Sequence, residues 1–495
     1  MVEFDRDLQS VQEIRCLVRG AREAQEAYAG FTQEQVDRIV QRVAQACEGA
    51  AERLAKLAAE ETGFGVWQDK VLKNLLGSRM TYESIRDLRT VGVLREDQER
   101  RVWEIAVPVG VIAALIPSTN PTSTVMYKSL ISLKAGNAIV ISPHPGAKNC
   151  ILETFRVVRD AAREAGAPAG LVQCVTIPSQ EGTGALLRHP DVGLILATGG
   201  EAMVRAAYSS GNPALGVGPG NGPSFIEKTA DIPAAVGRIF DSKTFDNGTI
   251  CASEQSVVTE ACIREQVEAE LTRQGGYFLS EEESGRVGRL LLRANGTMNP
   301  KVVGRAAGEI AAMAGVSVPE GTRVLLSRQT TVGRDNPYAR EKLCPVLAFY
   351  VEAGWEDACA RCIQILRNEG AGHTMTIHSQ DESVIREFAL RKPVSRLLVN
   401  TAGALGGVGA TTGLPPALTL GCGAVGGSAS SDNIGPMNLL NIRRVAWGLR
   451  ELGDLREPAP APRNAGPCAP RPGQVSREEI EAIARAVVAR LTEGR

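Results

Sequence analysis

A chain of 495 residues is long enough for two or three domains. Hydrophobic residues make up 43% and charged residues 22%, the balance of an ordinary soluble protein with ample core. A net charge of −1 excludes a global field that would favour nucleic acid, a membrane surface or a strongly charged partner.

The start, "MVEFDRDLQSVQEIRCLVRG", has no basic region followed by an apolar core, so no secretory signal is expected. With no run of about 18 apolar residues, no transmembrane helix is expected either. Residues 8–80 are rich in Ala, Glu, Gln, Arg and Leu with helical periodicity and read as several helices. Residues 107–116 form an apolar, β-branched run, a buried strand that "PSTNPT" ends abruptly. A short helix, "VMYKSLISLKAGN", and a second strand, "AIVIS", follow. The alternation continues through the helix "CILETFRVVRDAAREAG", the strand "LVQCVTI", the helix "GTGALLRHP", the strand "VGLILAT" and the helix "GEAMVRAAYSS". Strands alternating with helices imply a parallel sheet covered on both faces, with ligands beyond the carboxyl ends of its strands. The loops "PSTNPT", "SPHPGAK", "IPSQEGTG" and "ATGGEAM" each follow a strand and should line one edge of it. A second α/β stretch runs over residues 231–430 and ends in a glycine-rich loop, after which residues 438–445 resume as a strand or helix start.

Residues 457–474 include six prolines and nothing able to form a core, so they read as a semi-extended linker. Beyond it, Ser476 and Glu479 have capping-box spacing, and Ile480, Ile483, Ala484, Val487, Val488 and Leu491 fall on one helical face. A short amphipathic helix is marginal alone in water, so its stripe needs a surface: a partner, or the protein's own body.

The eleven cysteines are odd in number and scattered, which suits a reduced cytosol. Cys359 and Cys362 form a C-x-x-C pair inside an apolar-periodic helix with no second pair nearby, so they read as helix packing. The histidines are too dispersed for a metal site, and none is expected. Cys251 stands apart, in "KTFDNGTICASEQSVV", just after a turn-forming Asn-Gly-Thr. A cysteine at such a turn is a nucleophile if its thiolate is stabilised, and otherwise a small buried residue. The residues alone leave that choice open.

The Cys251 segment resembles the catalytic-cysteine segment of the CoA-acylating aldehyde dehydrogenases. These include the acetaldehyde and propionaldehyde dehydrogenases of ethanolamine and propanediol breakdown and the dehydrogenase half of the bifunctional aldehyde–alcohol dehydrogenases. The resemblance extends through "VPVGVIAALIPSTNPTST", "SLKAGNAIVISPHPGAK", "ATGGEAMVRAAYSSGNPALGVGPGN" and "TLGCGAVGGSASSDNIGPMNLLNI", and covers about residues 8–448 in order. It implies the α/β aldehyde dehydrogenase fold: a Rossmann-like nucleotide-binding domain over 1–230 with 431–456 returning to it, an α/β catalytic domain over 231–430, and a small oligomerisation hairpin. The linker is then 457–474, and 475–495 resembles the encapsulation peptides that recruit enzymes into bacterial microcompartments.

The same resemblance implies roles. Cys251 attacks the aldehyde carbon, and Asn120 matches the asparagine that stabilises the resulting oxyanion, with the Cys251 backbone N–H as second donor. The alternative for Asn120 is a turn residue before Pro121. NAD is the implied hydride acceptor, held by Ser142, Pro143 and His144 (where the superfamily usually has Lys-Pro-Ser), by Gly182, Thr183 and Gly184, by Thr198, Gly199 and Gly200 at a helix start, and by Glu341 at the nicotinamide ribose. The alternative for the loop residues is plain turn chemistry. His373 is either a base for coenzyme A or a residue that stabilises a turn. "GVGPGNG" has no helix opening from it and is discounted as a dinucleotide fingerprint. Hydrolytic relatives carry a water-activating glutamate here; aligning on Pro223 places Val217 at that position, and no carboxylate occurs between residues 215 and 223.

The function expected is oxidation of a short aldehyde, acetaldehyde or propionaldehyde, to its acyl-CoA with reduction of NAD, by a homodimer or homotetramer inside a microcompartment in the bacterial cytoplasm, with shell proteins as partners of 475–495 and no nucleic acid or membrane. The rivals are a hydrolytic dehydrogenase, a non-catalytic cargo protein, and a cysteine acyltransferase that needs no nicotinamide.

Overall fold

The computed structural model describes residues 5–456 and 477–492. The described chain opens on helices Arg6–Tyr28, Gln33–Gly49, Ala51–Thr62 and Trp67–Leu75, as the Ala-, Glu- and Gln-rich periodicity predicts. Thr32 and Gln35 cap the second reciprocally, Gln35 N–H donating to Thr32 Oγ1 and Thr32 N–H to Gln35 Oε1. Gly63, at φ +65°, closes the third in the left-handed region.

A hairpin follows, of β1 (Val93–Asp97) and β2 (Val102–Pro108). The apolar run expected as one strand over 107–116 is broken in two. Pro108 supplies no N–H and Gly110 lies at φ +110°, so the chain leaves β2 and re-enters a different sheet. That sheet has five parallel strands: β3 (Val111–Ile116), β4 (Ala138–Pro143), β5 (Val172–Cys174), β6 (Val192–Thr198) and β7 (Ala214–Val217), in the order β5-β4-β3-β6-β7. All six residues of β3 are buried, as the near-continuous apolar run of a doubly covered parallel strand requires. Helix Pro121–Lys134 between β3 and β4 is buried along its whole length. Within it the Lys128 ammonium donates to the carbonyls of Leu115 and Leu196 at 2.8 Å each. Strand "LVQCVTI" is shorter than expected, only Val172–Cys174 pairing with β4.

The chain then crosses to a seven-stranded sheet, ahead of residue 231. It comprises β8 (Gly222–Ile226), β9 (Glu254–Glu260), β10 (Gly276–Phe278), β11 (Val324–Arg328), β12 (Val346–Glu352), β13 (Gly372–His378) and β14 (Val394–Val399), in the order β10-β11-β12-β9-β8-β13-β14. Last comes β15 (Leu440–Ala446), which extends the hairpin sheet in the order β1-β2-β15. Cys359 and Cys362 are both buried in helix Trp355–Asn368, a packing role.

Two compact units result. Met1–Glu96 with Trp103–Arg444 holds both large sheets, and Asp97–Val102 with Val445–Arg495 forms the second. In the second unit, Trp447 N–H donates to the Arg101 carbonyl, and helix Arg477–Thr492 leaves Ile480, Ile483 and Val487 more than half exposed. The proline-rich linker and Ser476 lie outside the described residues. No described helix is long and apolar enough to cross a membrane.

Candidate active site

Cys251 lies between the turn Phe245–Gly248 and the start of β9. The turn is forced: Asp246, Asn247 and Gly248 have φ of 48°, 51° and 79°, a left-handed run that costs two non-glycine residues strain. Polar bonds hold it there. Asp246 N–H donates to Asp69 Oδ2, Asn247 Nδ2 donates to the Gly304 carbonyl at 2.9 Å, and Thr249 Oγ1 donates to Asp246 Oδ2 at 2.8 Å.

Asn120 occupies the N-cap position of the buried helix Pro121–Lys134, and its side chain is released from capping. Its Nδ2 donates instead to the carbonyl of Thr249 at 3.1 Å, two residues before the thiol. The structure thus brings Asn120 to the Cys251 turn. The Cys251 N–H makes no backbone hydrogen bond to another described residue and lies against its own sulfur.

Glu341 arrives from the far side. Its Oε1 accepts the N–H of Gly220 at 2.8 Å, and Gly220 lies so close to Cys251 that an added Cβ would fall 1.8 Å from the Cys251 carbonyl oxygen. A glycine is needed at that point of "GVGPGNG" for close approach, not for a phosphate. Burial, and after it Glu369, pushes the Glu341 carboxyl up to about 8. Burial, then Glu341 and Cys422, pushes the Cys251 thiol up to about 12, while the Arg396 guanidinium pulls it down. The free thiol is therefore held protonated near neutral pH.

His373 lies on β13 and is fully buried, with Nδ1 3.0 Å from Thr374 Oγ1 and Nε2 without a partner among the described residues. Burial, and after it Arg396, pushes its imidazole down to about 3. A ring that weakly basic stays neutral at every physiological pH. Arg396 donates from Nε to Thr374 Oγ1 at 3.1 Å and to the carbonyls of Ser431 and Gly421 at 3.1 and 2.5 Å. Arg396 lies in no motif quoted above, and Cys422 lies in the glycine-rich segment "TLGCGAVGG" without a role read for it.

The loops expected to hold a dinucleotide follow β3, β4, β5 and β6 and therefore share the carboxyl edge of the five-stranded sheet. Within them the roles differ. Ser142 and Pro143 are buried at the end of β4, and His144 Nδ1 accepts the Gly146 N–H at 3.1 Å, closing a turn. Gly182 is consumed by packing: its N–H goes to Ser179 Oγ at 2.9 Å, and a Cβ there would strike Ser10 Oγ. Thr183 Oγ1 donates to the Ser179 carbonyl, and Gly184 packs beneath Arg188. Thr198 Oγ1 lies 3.4 Å from Thr419 Oγ1, and Gly200 caps helix Glu201–Tyr208. Open space lies over Gly200, and equally over Gly218 beyond β7, a cradle that side chains would fill. Free N–H groups at such a helix start suit a pyrophosphate. The donor set and the cradle fit a dinucleotide.

The feature missed in the sequence is a charge network behind Asn120. Lys73 Nζ donates to Asn120 Oδ1 at 2.7 Å, to Thr249 Oγ1 at 3.0 Å and to Asp246 Oδ2. Lys70 Nζ donates to Asp246 Oδ2 at 2.9 Å and to the Thr119 carbonyl at 3.3 Å. All three charged groups are buried. Burial pulls the Lys73 ammonium down to about 8; although burial also opposes ionisation of Asp246, Lys73 and Lys70 hold its carboxyl below the usual range.

A family model described as "Aldehyde dehydrogenase family" matches residues 7–328. The chain belongs to that family. It is 45% identical over 442 residues to the bifunctional aldehyde-alcohol dehydrogenase of Escherichia coli strain K12, covering 88% of this chain and 50% of that one. The chain thus spans about half the length of the curated relatives it matches first. Among solved structures, a probable aldehyde dehydrogenase of Listeria monocytogenes aligns with a TM-score of 0.91 at 60% identity, over 92% of this chain and all of that one. An acetylating aldehyde dehydrogenase of Geobacillus thermoglucosidasius aligns at 0.89 and 50% identity, over 91% and 99%. A propionaldehyde dehydrogenase from a fucose-utilisation microcompartment of Clostridium phytofermentans, at 0.80, 25% identity and 88% and 97% coverage, has the same fold. So has one of Rhodopseudomonas palustris solved with bound CoA and an acylated cysteine, at 0.80, 27% identity and 88% and 97% coverage.

Proposed function

We propose that this aldehyde dehydrogenase oxidises a short aldehyde, acetaldehyde or propionaldehyde, and delivers the acyl group to coenzyme A. Cys251 gives up its thiol proton to solvent and adds as thiolate to the aldehyde carbon, whose C=O π pair moves to oxygen to give a thiohemiacetal oxyanion on its sulfur. Asn120 Nδ2 and the Cys251 N–H are the donors for the developing oxyanion, a contribution on the order of 10²–10³ in rate. NAD, when bound, supplies the acceptor for the hydride lost as the thiohemiacetal becomes a thioester. The loops at the carboxyl edge of the five-stranded sheet are proposed to hold it, with Ser142, Pro143 and His144 towards the adenosine ribose, Thr198, Gly199 and Gly200 at the pyrophosphate and Glu341 at the nicotinamide end. Gly182, Thr183 and Gly184 support that cleft by packing. His373 is too weak a base to take the proton of coenzyme A in the free enzyme, which favours an orienting role for its neutral ring.

The observation that carries the reading is the Asn120 amide bonded at 3.1 Å to the Thr249 carbonyl, beside a thiol whose neighbouring strand end carries Val217 and Gly220 and no carboxylate. Glu341 is tied to the Gly220 N–H, and with no base at the Val217 position attack by water forgoes a factor of roughly 10²–10⁴. The acyl-enzyme then survives to meet a thiol. NADH formation measured with and without coenzyme A tests this: strong dependence on the thiol supports it, and brisk turnover to free acid without it overturns it. The R. palustris structure with CoA and an acylated cysteine supports the same chemistry.

The domain reading follows: 1–230 with 431–456 for the dinucleotide, 231–430 for the thiol, and the β1-β2-β15 sheet for assembly into a homodimer or homotetramer. We further propose that the segment 475–495 docks on microcompartment shell proteins. Ile480, Ile483 and Val487, at helical spacing and 56%, 58% and 51% exposed, supply the apolar face. A C. phytofermentans relative comes from such a compartment. Deleting 475–495 should abolish co-purification with shells while leaving activity intact; retention of co-purification would overturn the assignment.

A further inference from the structure

We propose that Lys73, held by Asp246, is a positioning residue that sets the rotamer of the Asn120 amide so that its NH₂ group, and not its carbonyl, faces the reacting oxygen. The inference rests on the acylating reading above.

An asparagine amide is nearly symmetric in shape and opposite in chemistry at its two ends, so packing alone does not choose between its two orientations. At Asn120 the neighbours choose. The Lys73 ammonium is a donor only and lies 2.7 Å from Oδ1, while the Thr249 carbonyl is an acceptor only and lies 3.1 Å from Nδ2. Turning the amide over would set NH₂ against ammonium and carbonyl against carbonyl in a buried site, losing two hydrogen bonds and creating two repulsions. An oxyanion donor must be aimed before charge develops, because a group that must reorient contributes less.

The support for Lys73 is equally defined. Its helix, Trp67–Leu75, turns Lys70, Lys73 and Asn74 inward and leaves Leu72 55% exposed, the reverse of the usual amphipathic arrangement. A counter-charge offsets the desolvation of a buried ammonium, and Asp246 supplies it from the strained turn that carries Cys251. Thr249 Oγ1 donates to Asp246 and accepts from Lys73. Nucleophile turn and oxyanion donor are thereby locked to one another through a single carboxylate. Lys70, one turn earlier, ties the Thr119 carbonyl into the same group.

The test is a double-mutant cycle on the full-length enzyme with NAD, aldehyde and coenzyme A: wild type, Lys73→Met, Asn120→Ala and the double variant. The readouts are kcat, KM for aldehyde and the single-turnover rate of NADH formation. Lys73→Met is expected to lower kcat about 10²-fold with KM changed less than about threefold, and to add less than about threefold once Asn120 is already alanine. Thermal unfolding reports whether each variant is folded. If Lys73→Met alone does not fold, Lys70→Met/Lys73→Met/Asp246→Asn removes both buried ammonium groups with their shared partner, and Asn tolerates the left-handed φ at 246. Loss of kcat that multiplies in the double variant, or full kcat in folded Lys73→Met while Asn120→Ala is impaired, overturns the positioning role alone. Full kcat in Asn120→Ala overturns the reading on which it rests.

Discussion

Gly220 and Cys251 meet backbone to backbone: a Cβ on Gly220 would lie 1.8 Å from the Cys251 carbonyl oxygen, a separation no real contact reaches. The same Gly220 donates its N–H to Glu341. Any side chain at 220 must push the Cys251 turn or break the tie to Glu341. Gly220→Ala is therefore expected to fold, because the segment is a loop between β7 and β8, yet to lose about 10²-fold in kcat, the usual consequence of displacing reacting groups by about 1 Å. Steady-state kinetics beside a thermal melt decides it; wild-type kcat would show that the contact relaxes without moving the thiol.

A second expectation concerns pH. The Cys251 thiol, pushed up to about 12, should be alkylated by iodoacetamide at a rate that climbs from pH 7 to 10 without a plateau, less steeply around pH 8 where Glu341 ionises. Glu341, raised to about 8, is neutral below that pH and negative above it, and its charge opposes the thiolate. Glu341→Gln keeps an acceptor for Gly220 and removes the charge. Its Cys251 should react like wild type at pH 6.5 and several-fold faster at pH 9.5, followed by mass spectrometry of the Cys251 peptide. Equal rates at both pH values would show that Glu341 does not act on the thiol.

Much of this site is legible in the sequence, and the limits are physical. The loops after β3, β4, β5 and β6 were readable because alternating strands and helices force a parallel sheet whose carboxyl edge gathers them. The Cys251 and Asn120 segments are distinctive enough to place by resemblance. The charge network was not readable. Two lysines three apart in "WQDKVLKNL" ordinarily mark a solvated face, with Val71, Leu72 and Leu75 towards the core. Their inward turn depends on Asp246, which is 173 residues from Lys73 and sits in an Asp-Asn-Gly that reads only as a turn. The residues around His373 leave two roles open because its basicity depends on burial and on Arg396, neither visible in "GAGHT". Gly182 to Gly184 read as a ligand loop because a glycine needed for packing against Ser10 is indistinguishable in sequence from one needed for a phosphate.

The Lys70–Asp246–Lys73 group makes a prediction about stability. With Asp246 gone, two buried ammonium groups keep only the half-buried Asp69 as a counter-charge, and the turn loses the acceptor that holds Thr249 and the Val66 N–H. Removing one partner of a buried pair costs about 3–5 kcal/mol. Asp246→Ala should therefore be destabilised by that order in urea unfolding, whereas Asp246→Asn, which keeps the acceptor and the left-handed propensity, should lose less. Equal losses would assign the effect to the lost charge and not to the acceptor or the left-handed backbone, which Asp246→Asn keeps.

The last prediction concerns Glu254, three residues after the thiol. Its Oε1 accepts the Gly403 N–H at 2.7 Å, and Oε2 is buried without a partner among the described residues. Burial raises its carboxyl to about 7. A carboxyl whose folded pKa exceeds its unfolded value binds its proton more tightly in the folded state. Its stabilising effect is complete below about pH 4.5 and is lost as pH rises to about 7. The shift corresponds to at most roughly 3 kcal/mol between those limits. Glu254→Gln holds the neutral form at every pH, so the stability of wild type relative to this variant should fall from pH 5 to pH 8. The midpoints of urea unfolding at the two pH values, compared between wild type and variant, measure that difference. A difference independent of pH would mean that the carboxyl ionises in the folded protein as readily as in the unfolded chain.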